Sequence, residues 1–405
     1  MKKVIIIVGM LCMLQLTACA QWYLFPGKKK RTEPAEEQKE LKEEKPQTVP
    51  EEPAAVIDST EDDDDGFFFG APSSVGVSLI LPVNAASAKP GAGFLEMYSG
   101  ALLALRDIGN SGTKVNLRFV DSAGEDFCDG SIYNESDVVI GPVAYADIEK
   151  ALQCCGRKML ISPLEPKSAA LAERGDNIIQ APTPWTYQVD EIVDWLQSEM
   201  EFGDEVIVLK ENATPGEQAA YLLDRLQQKG IIFRSIQSAE ELGKPELKGK
   251  YRVLIASDND SFISNSIKQL GIAARINGDI VLYTTSRVRN CVSPDVLDLY
   301  HANARLAASY FIDYDSRQVK DFVMAYRALY GCEPGSFAFQ GYDTMSYFVK
   351  MCSEYGRRWW RRLPERYWRG LQSDFRYSRS QADGKVNTAV RRIVYGNDLS
   401  MTLVQ

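Results

Sequence analysis

Eight cysteines and a single histidine, His301, bound the reactive chemistry open to this chain. One histidine without identifiable serine and aspartate partners does not make a nucleophilic triad. Cys154 and Cys155 are adjacent, and Cys128, Cys291, Cys332 and Cys352 are scattered, so no zinc-like spacing appears. No glycine-rich phosphate loop ending in Lys-Ser/Thr is present. Asp62-Asp63-Asp64-Asp65 lacks the spaced ligands and glycine hinge of a calcium loop. No catalytic residue, metal ligand or cofactor is expected. What remains is thiol chemistry and non-covalent binding.

The amino terminus places one thiol. Lys2 and Lys3 precede an apolar run at 4–14 and then Leu16-Thr17-Ala18-Cys19. A basic start, a short apolar core and small residues before a cut site make a secretory signal, residues 1–18. The run is too short to span a bilayer. Leu-Thr-Ala-Cys resembles the bacterial lipobox, in which Cys19 would take lipid on its sulfur and begin the mature chain. Acyl chains add about 0.8 kcal/mol per buried methylene, so several on one cysteine hold firmly. Ala20-Gln21 lacks the aspartate that commonly marks inner-membrane retention, so an outer-membrane anchor facing the periplasm is expected. Export permits disulfides. Cys128 could bridge to Cys154 or Cys155, or all three could stay buried thiols.

The chain carries 46 Lys+Arg against 55 Asp+Glu, a net charge of −9, which argues against nucleic acid as a partner. Its basic residues are nevertheless concentrated in Arg357-Arg358-Trp359-Trp360-Arg361-Arg362, continuing to Arg366 and Arg369. One reading is a helix with inward tryptophans and a solvated basic face. The other is a docking surface in which Trp359, Trp360, Arg361 and Arg362 anchor an anionic wall polymer, lipid headgroups or the chain's own acidic stretch.

The elements that would position these groups begin late. Residues 19–73 read as a tether, because a Glu/Lys/Pro mixture ending in Asp62–Asp65 has too little apolar content to offset the entropy of ordering. Phe67-Phe68-Phe69 is taken as the edge of the fold. From Ser74, strands and helices alternate. Strands are predicted at 75–81, 114–121, 137–140 and 158–162, with helices at 94–108 and 146–152. A second set follows: helix 189–200, strand 206–209, helix 217–229, strands 231–234 and 252–256, helix 261–270 and strand 280–283. Helices at 319–329, 342–355 and 367–375 come next, then a strand pair at 386–395 and 401–404 turning at Gly396-Asn397-Asp398. Such alternation predicts an α/β fold with mostly parallel sheets flanked by helices, in two lobes.

Several local motifs then stand in order: Phe94-Leu95-Glu96-Met97-Tyr98-Ser99-Gly100-Ala101, Val120-Asp121, Val138-Val139-Ile140-Gly141-Pro142, Ile161-Ser162-Pro163, and Phe339-Gln340-Gly341-Tyr342-Asp343. Together they resemble the type I periplasmic-binding-protein fold, the family of branched-chain amino acid receptors, over roughly 74–405. Gln372-Ser373-Asp374-Phe375 and the short Asp58-Ser59-Thr60 pattern resemble lipoproteins of Bacteroides-type bacteria. The resemblance implies lobe one from 74–179 plus 310–356, lobe two from 180–309 plus 357–405, three crossings acting as hinges, and a ligand between the lobes. It further implies a crevice lined by Asn84, Asp121, Tyr145, Glu165, Thr183, Glu211, Asp258 and Thr285. Tyr145 and Trp185 are the stacking candidates. Each polar member also has an ordinary use as turn or helix cap.

This chain departs from the receptor pattern. Val143-Ala144-Tyr145-Ala146-Asp147 lacks the hydroxyls that would hold a ligand carboxylate, and Asp147 would repel one. Leu164-Glu165-Pro166 stands where a threonine is usual. Lys210-Glu211-Asn212-Ala213-Thr214 lacks the usual aromatic. An ammonium would need Glu211, Asp258 or Asp260. The expected function is therefore a non-enzymatic, lipid-anchored envelope protein that binds a small amino-acid-like or peptide-like solute. The alternative is a regulatory lipoprotein docking cell-wall synthesis enzymes, similar to activators of penicillin-binding proteins.

Overall fold

The computed structural model describes residues 74–244, 249–291, 295–378 and 385–404. The signal sequence, Cys19, the tether and the Phe67–Phe69 edge lie outside the described residues. Five short apolar runs form the first sheet: β1 (Val75–Leu81), β2 (Val115–Asp121), β3 (Val138–Ile140), β4 (Leu160–Ser162) and β5 (Ile178–Gln180). They are parallel, in the order β2-β1-β3-β4-β5. Strand β1 reads Val-Gly-Val-Ser-Leu-Ile-Leu and is apolar on both faces, because helices cover both. Its one hydroxyl, Ser78, is satisfied inside the core by the Ile132 carbonyl at 3.0 Å and Ser136 Oγ at 2.7 Å.

The covering helices are α1 (Ala92–Asn110), α2 (Gly130–Asn134), α3 (Tyr145–Cys154) and α4 (Ser168–Glu173). The chain then crosses to α5 (Trp185–Glu199), β6 (Asp204–Lys210), α6 (Glu217–Gln228), β7 (Arg234–Ile236), β8 (Lys250–Ala256), α7 (Asp260–Ile276), β9 (Ile280–Thr285), α8 (Val296–His301) and β10 (Arg305–Ala308). Returning, it adds α9 (Arg317–Tyr330), α10 (Ser336–Tyr355), a 3-10 segment (Gly356–Glu365) and a two-strand ladder, β11 (Trp368–Arg369) and β12 (Asp374–Phe375). Finally β13 (Arg391–Tyr395) and β14 (Met401–Val404) complete a second sheet ordered β14-β13-β10-β9-β8-β6-β7. There β13 runs antiparallel to both its neighbours, β10 and β14, and the remaining pairings are parallel. Among the described residues, no helix is long and apolar enough to cross a membrane.

The two motif helices explain two of the glycines noted in the sequence. A Cβ on Gly100 of α1 would sit 1.8 Å from the Ala338 carbonyl oxygen, and one on Gly341 of α10 would sit 2.0 Å from that of Met97. Their missing side chains let the two helix backbones cross in contact, and that crossing carries α10 into the first lobe's core.

Three expectations are corrected. Residues 357–377 do not join the second lobe: Trp359, Leu363, Phe375 and Tyr377 are buried in the core under β1. The indole of Trp359 donates to the Asp137 carbonyl at 3.1 Å. Residues 367–375 are not helical. The Asp343 carboxylate accepts three successive backbone N–H groups, from Leu371 (2.7 Å), Gln372 (2.8 Å) and Ser373 (2.9 Å). A helix would need the latter donors for its own carbonyls. The strand expected at 231–234 begins only at Arg234. Of the open pairings, Cys128–Cys154 is the disulfide, while Cys155, Cys291 and Cys352 are buried thiols. Burial pushes the Cys352 thiol up to about 12 and also raises Cys155.

Candidate ligand crevice

Strand order locates the crevices. From β1 the chain moves outward to β2 and returns to β3 on the other side. From β6 it moves to β7 and returns to β8. At each reversal the following loops diverge and leave a gap at the strands' carboxyl ends, where open parallel sheets hold ligands.

In the first lobe the candidates around that gap are engaged by the backbone. Asn84 follows β1 with φ 55°. Its N–H donates to Asp121 Oδ1 at 2.9 Å, Ala85 N–H to Oδ2 at 2.7 Å, and Ala123 N–H to Oδ1 at 3.2 Å. Burial raises the Asp121 carboxyl, but these donors outweigh it and hold it below the usual range. Glu165 closes the turn before α4, accepting from Lys167 N–H at 2.9 Å. Tyr145 begins α3 with its ring packed on the core around Ile148 and Ala151. Thr183 lies buried in the first crossing and donates to the Ala389 carbonyl at 2.7 Å.

In the second lobe the two acids are engaged by side chains, Asp258 by a backbone N–H as well. Glu211 follows β6. Ser257 Oγ donates to its Oε2 at 2.6 Å and Asn259 Nδ2 to its Oε1 at 2.9 Å. Asp258 follows β8. It accepts from Ala219 N–H in the first turn of α6 (3.2 Å) and pairs with Arg287 at 3.2 Å. Arg287 also holds Asp260 at 3.1 Å. Glu211 and Asp258 line one open cavity of about 640 Å³ with Lys210, Asn212, Thr214 and Gln237. Thr285, at the end of β9, borders a narrow adjoining space of about 40 Å³ with Ser257 and Arg287. Trp185 packs edge-on against Tyr221 at 5.3 Å, half-buried in the core of this lobe. Asn84, Asp121, Tyr145 and Glu165 do not line the larger cavity.

Sequence reasoning missed Arg287 and Ser257. Neither has a local signal, since their role arises only where β6, β8 and β9 end side by side. It also missed the clasp at the crossings. Arg391 and Asp374 form an ion pair with side chains 3% and 4% exposed. Arg391 also donates to the carbonyls of Leu371 (3.2 Å) and Gly370 (2.6 Å). Asn387 joins the Ala181 and Asp374 carbonyls, each at 2.8 Å.

The expected docking residues separate. Trp359 is fully buried and is removed from that role. Arg362 is paired with Glu365 at 2.9 Å. Trp360 is half-buried and Arg361 is exposed.

This is the two-lobed type I periplasmic binding protein fold. A putative branched-chain amino acid ABC transporter protein from Rhodospirillum rubrum is similar, with 14% identity over 82% of this chain and 100% of that one, and a TM-score of 0.54. Full-length LpoA from Haemophilus influenzae matches 83% of this chain and 60% of its own length at 12% identity, TM-score 0.52. A Leu complex of an ABC transporter substrate-binding protein from Desulfitobacterium hafniense has 14% identity over 82% and 100%, TM-score 0.46. No family model and no curated protein matches the chain.

Proposed function

We propose that this chain is a non-enzymatic envelope binding protein, lipid-anchored through Cys19 and with a net charge unsuited to nucleic acid, that takes a small amino-acid-like or peptide-like solute at the second lobe's crevice. One observation carries this reading: the polar cavity of about 640 Å³ at the β6–β8 reversal, with Glu211 and Asp258 in its wall. Its size suits a small ligand, for which sites run from about 300 to 1,000 Å³. The Glu211 carboxylate is half-buried and held by a hydroxyl and an amide, so a ligand ammonium can take over either partner. The fold likeness to the Rhodospirillum rubrum protein, described as a branched-chain amino acid ABC transporter protein, supports a solute-binding role.

The test is thermal shift on the full chain with panels of amino acids, short peptides and sugars. Ligand at a hundredfold excess over Kd stabilises the native state by about 2.7 kcal/mol. An amine-bearing solute is expected to raise the melting temperature, and Glu211→Gln, which weakens affinity about tenfold, is expected to shrink that shift to about half. Silence across the panel would reject the solute reading. It would favour the regulatory alternative, docking of cell-wall synthesis enzymes, which draws support from the first lobe's rim being engaged by its own backbone.

A further inference from the structure

A larger groove lies at the opposite, amino-terminal end of the first sheet. It measures about 1120 Å³, with Met159 and Cys352 in its floor, Arg157, Lys158, Arg357 and Arg358 around it and Trp360 in its wall. Several exposed arginines elsewhere hold carboxylate partners: Arg106 with Asp107 (3.0 Å), Arg174 with Asp176 (2.8 Å), Arg234 with Glu205 (2.6 Å) and Arg327 with Glu333 (2.6 Å). Exposed arginines without an ion pair among the described residues, such as Arg275 and Arg289, occur elsewhere as single side chains on separate elements, whereas here they are grouped. Arg157, Arg357, Arg358 and the neighbouring Arg361 have no ion pair among the described residues. In a chain where acids outnumber bases, four such side chains in one place are a concentration of unanswered positive charge.

The rim is also held rigid. Arg357 and Arg358 precede Trp359, whose buried indole is tied to the Asp137 carbonyl. Arg157 follows the Cys128–Cys154 disulfide by three residues. Lys158 Nζ is fixed on the Ser136 carbonyl at 2.6 Å. A preorganised rim loses little freedom on binding. Of the two acids bordering the groove, Asp137 accepts the Gly76 N–H at 2.9 Å and Glu135 lies 3.8 Å from Arg118.

We infer that this groove docks an acidic, extended segment of a partner polypeptide. Its carboxylates would meet the guanidinium forks of Arg157, Arg357 and Arg358, and an apolar side chain would lie on Trp360. The volume exceeds the roughly 1,000 Å³ upper range of small-ligand sites. The concavity does not fit a flat bilayer, and Glu135 on the border disfavours a uniformly charged polymer. This inference is independent of the second lobe's crevice.

The experiment is fluorescence anisotropy on the full chain with a labelled synthetic peptide of glutamate and aspartate around a central leucine. Binding is expected, weakening with salt, and falling about tenfold in the Arg357→Glu/Arg358→Glu variant, since each exposed ion pair contributes only modestly to affinity. Arg157→Glu, on a different element, is expected to weaken binding in the same direction and serves if the double variant does not fold. Arg362→Glu, whose partner is Glu365, is expected to change affinity less than twofold. No binding, equal binding of the Gln/Asn version of the peptide, or indifference to both charge reversals would overturn the inference. So would variant-sensitive binding of phosphatidylglycerol vesicles or polyphosphate in the absence of peptide binding.

Discussion

Asp121 and Glu211 are both acids at the carboxyl end of a strand beside a reversal of strand order, Asp121 as the last residue of the edge strand β2 and Glu211 just after β6, yet they are held differently. Asp121 is 7% exposed and accepts three backbone N–H groups. Glu211 is half-buried, accepts from two side chains, and borders an open cavity. A carboxylate bound by backbone donors cannot leave without unmaking its turn. One bound by a hydroxyl and an amide can exchange partners by rotamer changes alone. The first rim is structural, and the second can serve a ligand.

The strongest way to sharpen that contrast is at the crossings, where polar groups are most deeply engaged. Asp374→Ala strands Arg391 in a buried site and is expected to cost about 3–5 kcal/mol in urea unfolding. Exchanging both residues for apolar ones of similar size should cost much less, and an equal loss would show that the pairing itself is not what matters. Trp359→Ala is expected to cost about 3–5 kcal/mol as well, by leaving a cavity and an unanswered Asp137 carbonyl. Trp360→Ala should cost well under half of that; similar losses would erase the distinction between core and groove.

Asp121→Asn tests the backbone-held acid directly. At neutral pH it should cost about 1–3 kcal/mol. Because the folded carboxyl lies below its ordinary value, its stabilisation is present above the unfolded pKa of about 3.9 and is lost as pH falls through the folded value. The gap between wild type and variant should therefore close in acid, and a gap independent of pH would break the argument. The smallest stability effect belongs to Glu211→Gln, within about 0.5 kcal/mol. Its consequence should appear in ligand affinity instead, as a loss of about tenfold for an amine-bearing solute. A large stability loss there would make Glu211 another structural acid.

Much of the architecture was legible from local pattern. Runs such as Val75–Leu81 and the periodic Phe94, Tyr98, Leu102 and Leu105 announce a buried strand and an amphipathic helix, because burial on both faces or on one stripe leaves its period in the residues. The paired tail strands β13 and β14 were legible for the same reason, with their polar turn between them. The 357–377 stretch was not. Its alternation of arginine and tryptophan suits a helix or a surface equally, and what decided it was Asp343, far away in the chain, capturing the N–H groups of Leu371–Ser373.

The site divides along the same line. The strand-end acids could be listed from the residues, but their availability depended on donors from other loops. The sequence by itself determined the alternation of elements, the acidic balance and the absence of a recognisable catalytic motif, since these rest on local propensity, composition and spacing. Only the tertiary structure decided that Trp359 is core while Arg357 and Arg358 have no carboxylate partner among the described residues, that Cys128 pairs with Cys154, and that Glu211 rather than Asp121 faces an open cavity. The physical reason is that burial and hydrogen-bond partnership are properties of neighbours in space, and those neighbours here come from distant parts of the chain.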